Sequence, residues 1–217
     1  MAIKFRNIGE GTSSDDKDIL ELLRELEVSV SNFVTSDIFK RDIFESSDEN
    51  HYTETFVKFF ENTYINSRFS LNQQVSLPKR RSADIGIYLK ADSEHYIFNI
   101  EAKFLPSRDY VSGNYSAIER FKKCVHGLSN RNPEKCKLLL QSSIIAYKRN
   151  GEFSSHQESI NKEIHNLSVN ESEEANNWEE SEKLKKVYFK DTARLKSIHK
   201  RENQKQITLH HFWVELP

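Results

Sequence analysis

Two segments of this chain alternate apolar and polar residues, and a period of two commits a segment to a β-strand. In residues 83–89, Ile85, Ile87 and Leu89 fall on one face and Asp84, Gly86 and Tyr88 on the other. In residues 96–104, Phe98, Ile100, Ala102 and Phe104 form an apolar face, while Asn99, Glu101 and Lys103 share the opposite one. Residues 90–94 read as the hairpin loop between them. Asp84, Glu101 and Lys103 therefore emerge on the side away from the apolar stripes. Residues 69–77 read as an earlier strand ended by Pro78, followed by a basic turn, Lys79-Arg80-Arg81; Pro106 stops the third strand.

Helical spacing flanks this strand run. Residues 1–14 form a lead-in, and Ser13 or Ser14 with Asp15 and Asp16 marks a helix start. Ile19, Leu20, Leu22, Leu23, Leu26 and Val28 then recur at helical intervals. Residues 32–45 suggest a second helix or two short ones, and a third follows Ser46-Ser47-Asp48 with Phe56, Val57, Phe60 and Tyr64 as its apolar face. Downstream, residues 115–127 and 155–167 read as helices. Residues 137–148 read as helix then strand, or strand alone. The acidic stretch 170–186 reads as a solvated loop or exposed helix. Strand-like runs close the chain at 186–189, 193–199 and 207–216. The class is α/β or α+β around a central mixed sheet. The expectation is one domain over 1–217, with N-terminal helices (1–48), a core (49–150) and a C-terminal helix and strands (151–217).

Composition narrows the function classes modestly. Lys and Arg number 32 against 33 Asp and Glu, a net charge of −1, which selects no partner. A local basic patch for nucleic acid is compatible with that balance. The opening MAIKFRNIGEGTSSDDKD lacks the apolar core of a signal peptide, and no run approaches about 18 apolar residues. The expectation is a cytoplasmic protein with no membrane association. Cys124 and Cys136 are too few for a disulfide scaffold and read as free thiols.

If the two alternating strands pair through their hairpin, Asp84 approaches Glu101 and Lys103. Two carboxylates beside a cation suit an oxygen-ligated Mg2+, and Lys103 is placed to orient or deprotonate a water and to stabilise phosphate charge. The alternative is a pair of strands with a solvent-facing, salt-bridged surface.

The pattern Asp84…Glu101-Ala102-Lys103, with the second acid seventeen positions after the first, resembles the PD-(D/E)xK or restriction-endonuclease-like nuclease superfamily. The Pro that often precedes the Asp is absent, since Ser82-Ala83 stands there. The resemblance implies a core of helix, three strands, helix and strand with a mixed central sheet, here extended by N-terminal helices and C-terminal antiparallel strands. It implies Asp84 and Glu101 as metal ligands, Lys103 as a catalytic residue, and Mg2+ or Mn2+ as cofactor. It also implies an acid on the first core helix, for which Glu49 is preferred over Glu54; a helix-start acid favoured by the macrodipole is the alternative. A second segment, Tyr110 to Lys122 (YVSGNYSAIERFK) followed by His126-Gly127, looks like a motif in uncharacterised bacterial members. By that resemblance Arg120, Lys122 and His126 are candidates for contact with phosphate or water; ordinary helix charges and a satisfied helix-end histidine are the alternatives. Lys79, Arg80 and Arg81 are the further candidates for backbone phosphate. His199, His210 and His211 read as core or edge histidines, with metal ligation as the alternative. The implied function is hydrolysis of DNA, with RNA left open, as a bacterial defence effector acting as a homodimer or with partner proteins. A catalytically silent binding or scaffold protein on the same fold is the competing reading.

Overall fold

A computed structural model describes residues 14–43, 48–78, 81–113, 115–170 and 177–216. The lead-in up to residue 13, the helix-start cue at Ser46-Ser47, Lys79 and Arg80 of the basic turn, and Glu171, Glu173 and Glu174 lie outside the described residues. The chain is α/β: a seven-stranded mixed sheet with helices on both faces. The strands are β1 (Phe69–Leu77), β2 (Arg81–Leu89), β3 (Asp92–Leu105), β4 (Gln141–Lys148), β5 (Lys185–Phe189), β6 (Thr192–Lys200) and β7 (Gln206–Glu215). Their spatial order is β1-β2-β3-β4-β7-β6-β5. The β3–β4 and β4–β7 pairs are parallel and the remaining pairs antiparallel. The C-terminal strands are antiparallel among themselves, but they do not stand apart, because β7 joins β4 in the same sheet.

Helices α1 (Ser14–Thr35), α2 (Asp37–Ile43) and α3 (Glu49–Thr63) cover one face. There Leu22, Leu26, Phe33, Phe56 and Phe60 bury against Ile85, Ile87, Phe98, Ile100, Ala102 and Ile145. On α1 the buried stripe is Ile19, Leu22, Leu23, Leu26, Val30 and Phe33; Leu20 and Val28, expected on it, are about half exposed on the outer side. Helices α4 (Ala117–Lys122) and α5 (Phe153–Val169) belong to a second core with Ile144, Ala146, Leu195, Leu209 and Trp213. Strand β4 thus sends Ile144 and Ala146 to one core and Ile145 and Tyr147 to the other. A parallel strand covered on both faces reads as a continuous apolar run, which is why its period was ambiguous.

The β2–β3 hairpin is tighter than the expected five-residue loop. It turns at Lys90-Ala91, and β3 already begins at Asp92. Its register pairs Ile85 with Ile100, Gly86 with Asn99 and Ile87 with Phe98. Gly86 is required there, because a Cβ would sit 2.7 Å from the Tyr96 ring and 2.9 Å from a Val75 methyl. Helix α4 is half the expected length. The chain leaves it through left-handed conformations at Cys124 (φ 53°) and Gly127 (φ 71°). In the acidic stretch, Glu182 is buried on a 3-10 turn (Glu180–Glu182), and Trp178 beside it is buried too. Cys124 and Cys136 are free thiols. Among the described residues no helix is long and apolar enough to cross a membrane.

Candidate active site

The β2–β3 register decides where the acids go. The ladder runs to Ile85 opposite Ile100, and the next residue along β2 is Asp84. Its Oδ2 accepts the backbone N–H of Ala102 at 2.7 Å, so a side chain takes the place of a strand carbonyl where the two strands part. That bond fixes Asp84 beside Glu101, the preceding residue of β3.

Glu101 is 1% exposed and surrounded by donors. Its Oε1 accepts from Arg120 Nη1 at 2.8 Å and lies 3.3 Å from Lys103 Nζ. Its Oε2 lies 2.9 Å from His126 Nδ1, off the direction of a good hydrogen bond. The polar face of β3 is therefore not a solvated ion-pair surface. Burial by itself would push the Glu101 carboxyl up; His126, Lys103 and Arg120 outweigh it and hold the group below the ordinary carboxylate range. Asp84 goes the other way. Burial first, then the Glu101 charge, raise it from 3.8 to about 7.

Lys103 Nζ sits between Glu101 and Glu49, 3.8 Å from Glu49 Oε1. Burial opposes its charge, but Glu101, Glu49 and Asp84 together raise its pKa above the ordinary lysine value. A protonated amine has no lone pair. Held in its charged form, Lys103 is suited to orienting water or stabilising phosphate charge. Glu49 opens α3, where Asp48 caps the helix by accepting the Asn50 N–H at 3.1 Å. Burial raises the Glu49 carboxyl, against the Lys103 charge and a hydrogen bond from the Phe104 backbone. Glu54 points to solvent and pairs with Lys58 at 2.6 Å, so the helix acid at this constellation is Glu49.

The remaining candidates separate. Arg120 reaches the site. Lys122 does not: it is 3% exposed, donates to Glu182 Oε1 at 2.6 Å and lies over the Trp178 ring. Two residues apart on a helix is about 200° of rotation, so the two basic side chains of α4 must face opposite ways. His126 is fully buried and faces Glu101, so its place is behind the acid. Arg81 donates to the Cys124 carbonyl at 3.0 Å, tying the start of β2 to the turn after α4. His199, His210 and His211 are buried in the sheet; His211, for example, bonds Tyr110 Oη at 2.8 Å and Ser197 Oγ at 2.7 Å. One residue given no role from sequence supports the site. Asn99, on the polar face of β3, accepts the Leu128 N–H at 3.0 Å and so anchors the turn that carries His126. Its signal was a polar residue in phase with Glu101.

Among the described residues, no group of three or more His, Cys, Asp or Glu side chains is arranged to hold a metal ion. Mg2+ needs fewer protein ligands than that, since it commonly keeps several waters and takes one or two carboxylates. Asp84 and Glu101 fit this requirement. They are hard oxygen donors near enough that the Glu101 charge adds to the burial that opposes ionisation of Asp84. Comparison of the chain with protein-family models, with curated proteins and with solved structures finds no match.

Proposed function

We propose that this chain is a metal-dependent nuclease that hydrolyses phosphodiester bonds at Asp84, Glu101 and Lys103. One observation carries the reading: Asp84 bonds the backbone next to Glu101 where β2 and β3 part and feels its charge, with the Lys103 ammonium 3.3 Å from Glu101. The order helix, three strands, helix, strand from Glu49 to Lys148 is in keeping with it, being the order the nuclease resemblance implies.

Asp84 and Glu101 would hold Mg2+ or Mn2+, which when bound supplies a polarised phosphoryl oxygen and a water of lowered pKa. Lys103, kept cationic by its three acidic neighbours, stabilises charge developing on the phosphate and orients the attacking water. Glu49 fixes the Lys103 ammonium from the opposite side. His126 braces Glu101 from the buried side. DNA is the substrate the resemblance favours, and a homodimer or a multi-component bacterial defence system is the setting it suggests. The competing reading, a silent nucleic-acid-binding or scaffold protein, draws on one observation: Glu101 already has Arg120, Lys103 and His126 around it.

The test is cleavage of plasmid, single-stranded DNA and RNA with Mg2+, Mn2+ or EDTA, wild type beside Lys103→Ala. The reading expects metal-dependent cutting that the variant loses while staying folded. Full activity in Lys103→Ala, or cutting that survives EDTA, refutes it.

A further inference from the structure

Resting on the nuclease reading, we infer that Arg120 is an exchangeable counter-cation: it neutralises Glu101 until a divalent ion binds there, and then passes to a substrate phosphate oxygen.

A carboxylate that is 1% exposed needs compensating charge at all times. Glu101 Oε1 receives two cations, Arg120 Nη1 at 2.8 Å and Lys103 Nζ at 3.3 Å. A divalent ion held by Glu101 would compete with both. The three neighbours of Glu101 differ in their freedom to leave. His126 is fully buried. Lys103 is 15% exposed and held between Glu101 and Glu49. The Arg120 side chain is 22% exposed, and its other hydrogen bond, to the Ser82 carbonyl, is long at 3.4 Å. Its departure requires only side-chain rotation. Helix α4 stays docked through Ile118 and Phe121, both fully buried, and through the bonds from the Ile118 and Glu119 N–H groups to the Tyr110 and Val111 carbonyls.

Charge balance points to the destination. Three carboxylates, Asp84, Glu101 and Glu49, face two cationic side chains, Lys103 and Arg120. Adding a divalent ion leaves the cluster net positive, and a guanidinium freed at its rim is matched to a phosphodiester, which it can grip through two parallel N–H bonds. Ion and nucleic acid would then bind cooperatively, each favouring the arrangement that the other needs.

The experiment is a Mn2+ titration by calorimetry, without nucleic acid, of wild type, Arg120→Gln and Arg120→Lys. Loss of one charge-assisted hydrogen bond from the competing cation predicts about tenfold tighter Mn2+ binding in Arg120→Gln. Arg120→Lys, which keeps the charge without the fork, falls between the two and serves if the glutamine variant fails to fold. Binding of a fluorescent single-stranded oligonucleotide, read by anisotropy with Mn2+ in the Lys103→Ala background, weakens when Arg120→Gln is added. Mn2+ affinity that is unchanged or weaker in both Arg120 variants overturns the exchange and leaves the nuclease reading standing. Absence of Mn2+ binding in wild type and both variants overturns the two together.

Discussion

Replacing Asp84 by Asn should stabilise the metal-free protein, and only at high enough pH. The folded environment raises the Asp84 carboxyl from 3.8 to about 7, by burial and by the Glu101 charge. A raised acid binds more protons folded than unfolded between those values, so stability falls as pH rises through that window. At 1.36 kcal/mol per pH unit, the ionised group costs the folded state about 4 kcal/mol at pH 8 and about 1 kcal/mol at pH 4.5. These are ceilings, because water reaches a half-buried carboxylate. Asparagine keeps the shape and can still accept the Ala102 N–H bond that Asp84 makes at 2.7 Å. The assay is urea unfolding in EDTA at pH 4.5 and pH 8. Asp84→Asn should gain several kcal/mol at pH 8 and most of that gain should vanish at pH 4.5. Adding Mn2+ should stabilise wild type and leave the variant unmoved. A pH-independent difference, or a less stable variant at pH 8, would refute the reasoning.

Two further predictions concern the frame behind the site. Lys122→Met leaves Glu182 buried without its ammonium partner and should destabilise the fold by about 3–5 kcal/mol; adding Glu182→Leu should recover much of it, and chemical denaturation of the single and double variants reads both. Gly127→Ala forces a side chain into φ 71° and puts a Cβ 2.5 Å from Nη2 of Arg201, which is itself buried. A loss of about 1–3 kcal/mol in thermal unfolding is expected, with weaker Mn2+ binding because the adjacent His126 backs Glu101.

The strands at the site were readable because their polar and apolar residues alternate strictly, and alternation fixes which face a side chain takes. Asp84, Glu101 and Lys103 could therefore be placed on one face before any register was known. Burial of that face was not readable, since it comes from α4 and the turn after it. That turn depends on left-handed conformations at Cys124 and Gly127, and nothing local announces the cysteine. Once α4 stops at Lys122, helix rotation separates Arg120 from Lys122. Read as two residues of one basic stretch, they looked equivalent. Glu182 was hidden for a similar reason: in an acidic run it reads as solvated, yet its partners Lys122 and His199 lie far away in sequence.

The central claim is that Asp84 and Glu101 share a divalent cation. Anomalous scattering from crystals soaked in Mn2+ tests it most directly. The account predicts one strong peak within coordination distance of both carboxylates, absent in crystals of Asp84→Asn. A peak elsewhere, or none between the two acids at saturating Mn2+, would contradict it.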